Sequence, residues 1–518
     1  MKLTLVAFLA VAAQAAEHVV NQATCAGTPY KYTGLAGFGF IPSNATDKYG
    51  DTIGGIGSSI AIDQSAWRKT AHEAYEGTIY ALPDRGWNTN GTINFQNRIH
   101  KFAVSLKLAP NASAKNPSAP NVHLKYIGTT LLTDPEGNPV TALDADAKGH
   151  ASFPGFPPLP VATYTGDGFG GPGAGGKRVS VDSEGLALDT KNGGFWVSDE
   201  YGPYVYKFSA QGKMEHAIQP PQAFLPRRND TISFNSNTPP RYNPKASPIP
   251  ADPQTGRNDN QGFEGVTVSA DGKTLYTLIQ SALQQEGGGG SEVSGQPARL
   301  LAYDISANPP KYIHEYAVLL PTYRDYTETD ANKARKVAAQ SELHQLPTGD
   351  FLVLARDSSF GRGQDHTRSV YRHADVFSVL NSNHTITDLK GQKNYDNAGG
   401  AIASSKGKLF PGITPAEYCS FVDYNIESEL AKFRLHNGGQ SDRFLLNEKW
   451  ESLGIAPVDP SSSSAGHKRG AEKEYFLFSF SDNDFMTQDG HMNFGKLKYK
   501  DQSGISLDTQ VLVFKLKF

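Results

Sequence analysis

Four glutamates occupy the same position in four repeats of this sequence. Each stands at the start of a short run of alternating apolar residues, as in "VDSEGLALD" (181–189) and "GFEGVTVS" (262–269). The four are Glu184, Glu264, Glu342 and Glu451, and Ser58 holds the equivalent position in a fifth repeat. Carboxylates that lie close together repel one another unless a cation or arginine neutralises them. Because no matching His or Cys set accompanies these oxygens, the pattern favours a hard cation, Ca²⁺ or Mg²⁺.

More polar groups follow the second strand of each predicted repeat. They are Asp84-Arg85, Asp199-Glu200, Gln280, Arg356-Asp357 and Asp482-Asn483-Asp484. A second strand runs antiparallel to the first, so its end lies beside the start of the first strand. We interpret Asp199 and Asp357 as further metal ligands or bases. Arg85 and Arg356 either hold an anionic substrate or pair with the glutamates and lock the repeats together.

Two weaker signals lie near this predicted face. His344 is two residues after Glu342, on the same side of an extended strand, and could act as an acid or base, or simply be packed. Arg227 and Arg228, in "FLPRR", could bind anions over the face or belong to a solvated loop. The sequence leaves both alternatives open.

The elements that must position these residues are short strands. Five units of three to four strands show apolar alternation between Gly, Asp and Pro turns. Repeated four-stranded units predict an all-β fold, a β-propeller of five or six blades with long loop insertions. The segment 30–42 would supply an outer strand to the last unit and close the ring. A β-sandwich with a second domain is the alternative, and one short helix is predicted near 415–436.

The N-terminus predicts export. "MKLTLVAFLAVAAQAAE" has a positive start, an apolar core too short to span a bilayer and small residues before a cleavage site. Residues 1–16 are therefore predicted to be a signal peptide, and 17–518 a single secreted domain. In an oxidising compartment Cys25 and Cys419, the two cysteines, would form a disulfide, although two free thiols remain possible. Five predicted N-glycosylation sites accompany the signal: Asn44, Asn90, Asn111, Asn229 and Asn383.

The charge balance bears on partners. A formal net charge of −3 over 518 residues gives no electrostatic case for binding nucleic acid or a membrane surface. We expect a monomer that acts on a small anionic molecule.

Long stretches of the chain resemble a known family. They are "GDGFGGPGAGGKRVSVDSEGLAL", "GGFWVSDEYGPYVYKFSAQGK", "AFLPRR", "GFEGVTVSADGKTLY", "EYCSFVDYN" and "LNEKWESLGI". These resemble secreted proteins with the phytase-like domain, described as having esterase-like activity of phytase. The resemblance implies a β-propeller and hydrolysis of phosphoesters or related esters. The well-studied propeller phytases bind several Ca²⁺ ions on one face, but we recognise none of their ligand motifs here. The roles given to the four glutamates therefore rest on the alignment within this chain.

Two functions follow from these observations. The first is a secreted, metal-assisted hydrolase of phosphomonoesters or related esters. The second is a non-catalytic propeller that presents the same face to a ligand, a cell-wall polymer or a protein. Central carboxylates that converge with no arginine between them would favour the first, and pairing of every central glutamate with Arg or Lys would favour the second.

Overall fold

The fold is a five-bladed β-propeller. The computed structural model describes residues 18–289, 293–380, 385–462 and 472–518. The predicted signal peptide, residues 1–16, and Asn383 lie outside these residues. Each blade is an antiparallel sheet whose first strand is innermost, and inner strands of neighbouring blades contact one another around the ring. The prediction of an all-β propeller is confirmed, with five blades rather than six.

Blades are numbered by the order of their inner strands, and their strands are given from the inside outward. Blade 1 consists of Ser59–Ala71, Ala74–Leu82, Arg98–Lys107 and Val122–Leu131. Blade 2 consists of Ser183–Leu188, Phe195–Asp199, Val205–Phe208 and Met214–Ile218. Blade 3 consists of Phe263–Val268, Thr274–Ile279, Pro297–Asp304 and Lys311–Leu319. Blade 4 consists of Ala339–Gln345, Phe351–Arg356, Arg372–Ser378 and Glu417–Asp423. Blade 5 consists of Gly454–Pro457, Glu474–Phe480, Thr509–Lys517, Thr28–Ile41 and Asn21–Cys25.

The N-terminal strands complete blade 5 and close the ring. Thr28–Ile41 pairs with the last strand of the chain, with Phe38 opposite Leu512. Closure removes the open sheet edges that a linear array of blades would expose. The predicted disulfide is confirmed: Cys25 and Cys419 are bonded, with their Cα atoms 5.9 Å apart. It joins the outermost strand of blade 5 to the outermost strand of blade 4.

The short helix predicted near 415–436 is confirmed in the second half of that segment, and the first half is a strand. Residues Glu417–Asp423 form the outer strand of blade 4, paired with Arg372–Ser378. That sheet edge offers unpaired backbone groups, and the disulfide at Cys419 holds the segment against it, so pairing overrides local helix preference. Only Glu427–Leu430 is α-helical, and it continues into a 3₁₀ turn at Ala431–Phe433.

Short two-stranded ribbons and 3₁₀ turns lie in the loops between the blade strands. The two-stranded ribbons are Val161–Tyr164 with Gly176–Val179, Arg227–Arg228 with Thr231–Ile232, Thr322–Arg324 with Arg335–Val337, and Gly490–Met492 with Leu497–Tyr499. The remaining 3₁₀ turns are Gln284–Glu286, Val293–Gly295 and Pro460–Ser462. None of the helices in the described part of the chain is long and apolar enough to cross a membrane.

Apolar side chains fill the space between blades. Tyr276 of blade 3 packs edge-on against Phe351 of blade 4, with ring centroids 4.9 Å apart, and Phe351 stacks on Phe377. Such contacts fix each blade against the next, so the starts of the inner strands are held around one axis. Antiparallel pairing places the connections between blades, and those between second and third strands, at this same end.

Candidate functional site

Carboxylates converge where the inner strands begin. Glu184 and Glu264 lie in the inner strands of blades 2 and 3, and Glu451 precedes that of blade 5. Each is 6–7% exposed, so its side chain is largely withdrawn from water but still reaches the surface of the face. The ends of the second strands bring further carboxylates to the same place, as the antiparallel geometry predicts.

Two of these glutamates are followed by a glycine for a steric reason. A Cβ on Gly185 would lie 2.4 Å from the backbone oxygen of Glu264, and one on Gly265 would lie 2.5 Å from the backbone nitrogen of Leu343. The inner strands approach so closely that no side chain fits. Ser198 bridges the same contact: its hydroxyl accepts from the Gly185 N–H and donates to the Glu264 carbonyl. The Glu-Gly pair therefore places a carboxylate where neighbouring blades touch.

The first carboxylate group, the blade-2 triad, consists of Asp182, Glu184 and Glu200. One oxygen from each lies within 4.8 Å of the others. Asp182 is fully buried, and no N–H or hydroxyl group of the described chain donates to either of its oxygens, whose hydrogen-bonding neighbours are the carboxyl groups of Glu184 and Glu200. Arg85 is the nearest cation, with its Nε 3.4 Å from Asp182 Oδ2. The triad therefore consists of buried carboxyl groups in contact with one another, which need shared protons or a cation between them.

The second group, the lysine cluster, surrounds Lys449. Its Nζ lies 2.8 Å from Asp484 Oδ1, 3.1 Å from Asp482 Oδ2 and 3.5 Å from Glu451 Oε2. Asp84 completes the cluster, since oxygens of Asp84, Asp482 and Asp484 also lie within 4.8 Å of one another. Here a cation of the chain itself occupies the centre.

Two other contacts complete the face. Gln280 donates a hydrogen bond to Glu264 Oε1, and Arg356 pairs with Glu451 through Nη2. No ion pair joins Glu184 or Glu264 to a Lys or Arg among the residues described. The central glutamates are therefore only partly neutralised by basic side chains.

Burial dominates the electrostatics of the face. It raises the pKa of Glu184 well above its usual value, and the charges of Glu264 and Asp182 add to that effect. Burial also raises the pKa of Glu264, and the neighbouring Glu200 raises it further. The pKa of Glu200 is raised to about 8 by burial and by Asp182. Protons thus remain on part of the face at neutral pH unless a cation replaces them.

The balance of charges leads to the same conclusion. The face holds eight carboxylates and three basic side chains. The carboxylates are Asp84, Asp182, Glu184, Glu200, Glu264, Glu451, Asp482 and Asp484, and the basic groups are Arg85, Arg356 and Lys449. Such an excess of buried carboxylates requires either shared protons or a bound cation.

The structure places Glu342 apart from these groups. It accepts hydrogen bonds from the Ser59 hydroxyl and from the Leu343 N–H, and Ser59 in turn accepts from the Leu186 N–H. Burial raises the pKa of Glu342, with no contribution from another carboxylate. Glu342 therefore links blades 4, 1 and 2 instead of joining the acidic cluster as the repeat alignment suggested.

Asp199 and Asp357 are occupied by local hydrogen bonds. Asp199 accepts from the N–H groups of Asp182, Tyr201 and Gly202 and from the hydroxyl of Tyr206. Asp357 accepts in the same way from Ser369, Val370 and Tyr371, in the connection between the second and third strands of blade 4. Both carboxylates hold turns in place through these hydrogen bonds, and their suggested role as ligand or base stays a prediction.

The remaining predicted residues lie away from the carboxylates. Burial lowers the pKa of His344 to about 4, and no charged neighbour contributes to that shift. Arg227 bonds to Gln222 and the Asp230 carbonyl, whereas Arg228 is buried and bonds to Asp259 and the Ala251 carbonyl. Both arginines therefore organise their own loop.

The sequence argument did not single out two residues of this face, Asp182 and Lys449. Each stands two positions before a central glutamate, in "VDSEG" and "EKWESLG". In an extended chain, positions two apart face the same side. The two-residue spacing therefore indicates that Asp182 and Lys449 lie on the same side of the chain as Glu184 and Glu451. The intervening Ser183 and Trp450 made these pairs difficult to recognise in the sequence.

The oxygens present fit a hard cation. The blade-2 triad offers three carboxylates on two neighbouring segments, and its carboxyl oxygens are the donors that Ca²⁺ or Mg²⁺ accepts. No His or Cys of the described residues belongs to this group. The donor set therefore favours Ca²⁺ or Mg²⁺ over zinc or copper.

Comparison with known protein families shows which family this chain belongs to. Residues 55–403 match the model of a family described as Phytase-like, esterase-like activity of phytase. The chain belongs to the phytase-like family. The matched residues run from the start of blade 1 into blade 4 and include the blade-2 triad, so the family assignment covers most of the propeller and confirms the resemblance seen in the sequence.

A relative of this phytase-like chain is known by sequence. An uncharacterized secreted protein of Arthroderma benhamiae is 58% identical over 472 residues, which cover 91% of this chain and 90% of that protein. The predicted secretion agrees with that description. The relationship extends beyond the family match to nearly the whole chain.

Similar solved structures include two bacterial proteins. A putative 6-phosphogluconolactonase from Bacteroides uniformis is 10% identical, with a TM-score of 0.29, covering 93% of this chain and 99% of that one. A periplasmic gluconolactonase from Pseudomonas aeruginosa is also 10% identical, with a TM-score of 0.27, covering 92% of this chain and 99% of that one. No functional argument rests on these distant likenesses.

Proposed function

We propose that this protein is a secreted hydrolase of phosphomonoesters or related esters, assisted by a divalent cation at the blade-2 triad. One observation carries the proposal: Asp182 is fully buried, its hydrogen-bonding neighbours are the carboxyl groups of Glu184 and Glu200, and no N–H or hydroxyl group of the described chain donates to it. A buried carboxylate in that state is costly unless a cation or a proton satisfies it. The family description, esterase-like activity of phytase, supports an ester as the substrate.

The triad would hold Ca²⁺ or Mg²⁺, which would supply a Lewis acid to the phosphoryl or carbonyl oxygen of the ester. Arg85 would orient the anionic group, because its guanidinium borders the triad, where it pairs with Asp182 and also contacts the side chains of Thr238 and Tyr201. Arg356 is less suited to that task, since Glu451 already engages it.

Glu264 is the group best placed to move a proton. Gln280 fixes one of its carboxyl oxygens, and burial followed by the charge of Glu200 raises its pKa well above the usual value. A carboxyl that keeps its proton near neutral pH can donate it to a leaving alcohol. Glu264 would therefore act as general acid in ester hydrolysis.

Activity measurements test this proposal. Purified protein would be assayed on a panel of phosphomonoesters and carboxyl esters, with EDTA and then with added Ca²⁺ or Mg²⁺. We expect turnover that EDTA abolishes and a divalent cation restores, and a loss of at least about 100-fold in Asp182→Asn. Glu342→Gln is the matched control, because it changes a central glutamate outside the triad and should keep its turnover. Absence of turnover with every cation, or turnover that EDTA leaves unchanged, would refute the proposal.

A non-catalytic binding propeller is the second candidate. The ion pair between Arg356 and Glu451 favours it, since this contact ties two blades together without any ligand. The lack of such partners for Glu184 and Glu264 within the described residues argues for the hydrolase. A small ligand that binds the face stoichiometrically and is recovered unchanged would support this second candidate.

We further propose that the secreted chain carries N-linked glycans. Asn44, Asn90, Asn111 and Asn229 are all exposed, as an acceptor asparagine must be. Intact mass before and after enzymatic deglycosylation would test this.

A further inference from the structure

We propose that the ammonium of Lys449 fills a second cation position on the central face, so that the face takes up one divalent cation and not two. The first position is the blade-2 triad, and this inference rests on the proposed function for that site. The second position is the lysine cluster. The two groups of carboxylates thus differ in what neutralises them: an ion from solution in one, a side chain of the protein in the other.

The contacts of Lys449 match those of a coordinated cation. An ammonium group has three N–H donors, and Nζ of Lys449 has three carboxylate neighbours, Glu451, Asp482 and Asp484, at 2.8–3.5 Å. These oxygens come from the start of the inner strand of blade 5 and from the end of its second strand. Lys449 therefore sits at the point where a bound ion would gather the same oxygens.

The backbone holds Lys449 in that place. Its carbonyl accepts a 2.6 Å hydrogen bond from the Asp482 N–H, which joins the lysine to one of its own partners. The next residue, Trp450, is fully buried, and its indole N–H donates to the Asn447 carbonyl at 3.1 Å. The buried Trp450 and the Asp482 hydrogen bond therefore fix the backbone position of Lys449. This fixed backbone holds the ammonium of Lys449 among the carboxylates.

The surrounding oxygens would suit a divalent cation if the ammonium were removed. Oxygens of Asp84, Asp482 and Asp484 lie within 4.8 Å of one another, a spacing that one Ca²⁺ can draw together. Asp84 is 3% exposed, and its Oδ1 has no hydrogen-bond partner among the residues that the structure covers. This buried oxygen is therefore available as a ligand for an ion that takes the place of the ammonium.

Solvent can reach this position. The Lys449 side chain is 23% exposed and that of Asp484 is 24% exposed. An ion could therefore enter once the lysine no longer occupies the centre. Removal of Lys449 should convert the cluster from a closed ion-pair network into a metal site.

Metal stoichiometry tests the inference. Wild type, Lys449→Met, Lys449→Met/Asp484→Asn and Lys336→Met would be dialysed against Ca²⁺ and their bound calcium measured by elemental analysis. We expect one Ca²⁺ per chain for wild type, two for Lys449→Met and one for the double variant. Lys336→Met is the matched control, because Lys336 pairs at 2.7 Å with a single carboxylate, Asp325, and its loss should leave one Ca²⁺ bound.

The outcomes separate this inference from the proposed function. Lys449→Met binding no more Ca²⁺ than wild type would overturn the inference, as would two ions in wild type. No ion in wild type and one in Lys449→Met would support the role of Lys449 while refuting the blade-2 triad as a metal site.

A second variant keeps the test valid if Lys449→Met fails to fold, as judged by circular dichroism. Asp484→Asn retains the lysine and changes a partly exposed carboxylate. The inference predicts that its Ca²⁺ content equals that of wild type. Loss of the ion in Asp484→Asn would show that the lysine cluster itself holds the metal and would overturn the inference.

Discussion

Glutamates at equivalent positions of the repeats have different surroundings on this face. Glu342 and Glu264 hold equivalent positions in the repeats, yet Glu342 bonds to Ser59 while Glu264 lies beside Glu200. The residue types at these positions were predictable from the repeats. Their partners were not, because they depend on side chains that come from other blades.

The glycine after each of two central glutamates provides a test at this scale. Gly185→Ala should lower the free energy of unfolding by about 1–3 kcal/mol or more, because its Cβ would lie 2.4 Å from a backbone oxygen that cannot rotate away. Gly128→Ala is the control, since a Cβ there meets nothing within 4 Å. Urea denaturation would compare the two. Equal stability of both variants would show that the inner strands are less tightly packed than described.

At the scale of elements, the sequence predicted the positions of strands better than the position of the helix. Apolar alternation predicted the inner and second strands, and the unpaired segment 30–42 predicted the closing strand. The first half of the segment 415–436 was misassigned because its helix-forming residues are local, whereas the sheet edge and the disulfide that hold Glu417–Asp423 are remote in sequence.

The disulfide should stabilise the closing strands measurably. Cys25 and Cys419 are 394 residues apart, so their bond restricts the unfolded chain and also fastens the outermost strand of blade 5. We expect Cys25→Ser/Cys419→Ser to lose about 2–5 kcal/mol in the free energy of unfolding. Reduced wild type should unfold at the same urea concentration as the double variant. A variant as stable as the oxidised wild type would contradict this account.

At the scale of the whole molecule, the repeats predicted the propeller but not its blade count. The long gaps between units could each have hidden a sixth blade; the structure fills them with loops and short ribbons such as Val161–Tyr164 with Gly176–Val179. Loop length alone cannot distinguish an insertion from a blade, because both contain Gly and Pro turns. The position of the carboxylate face was predictable, because antiparallel pairing places the starts of the inner strands and the ends of the second strands at the same end of each blade.

Buried acids should make the cation-free protein less stable as pH rises from acidic values through 7, and the loss should level off by about pH 8. Burial raises the pKa of Asp144, Asp199 and Glu286 to about 7 each, so the folded chain keeps protons that the unfolded chain has already lost. Stability must then fall as pH passes through 7. Burial lowers the pKa of His100 to about 3 and of His344 to about 4, so most of their opposite contribution is gained below pH 6.5, and only about 0.4 kcal/mol from each is added between pH 6.5 and 8.

The expected loss between pH 6.5 and 8 is ~2 kcal/mol for the three acids together. Thermal unfolding in EDTA at the two pH values would measure it as a lower Tm at pH 8. A Tm that rises over this interval would show that these carboxyls are already ionised in the folded protein.

The most direct test of the central claim is the metal content of the purified protein and its Asp182→Asn variant. Asp182 is the fully buried member of the blade-2 triad, and no N–H or hydroxyl group of the described residues donates a hydrogen bond to either of its oxygens. We predict one Ca²⁺ or Mg²⁺ per chain in wild type and in Glu342→Gln, and none in Asp182→Asn. An Asp182→Asn protein that folds and retains its full metal content would contradict the account.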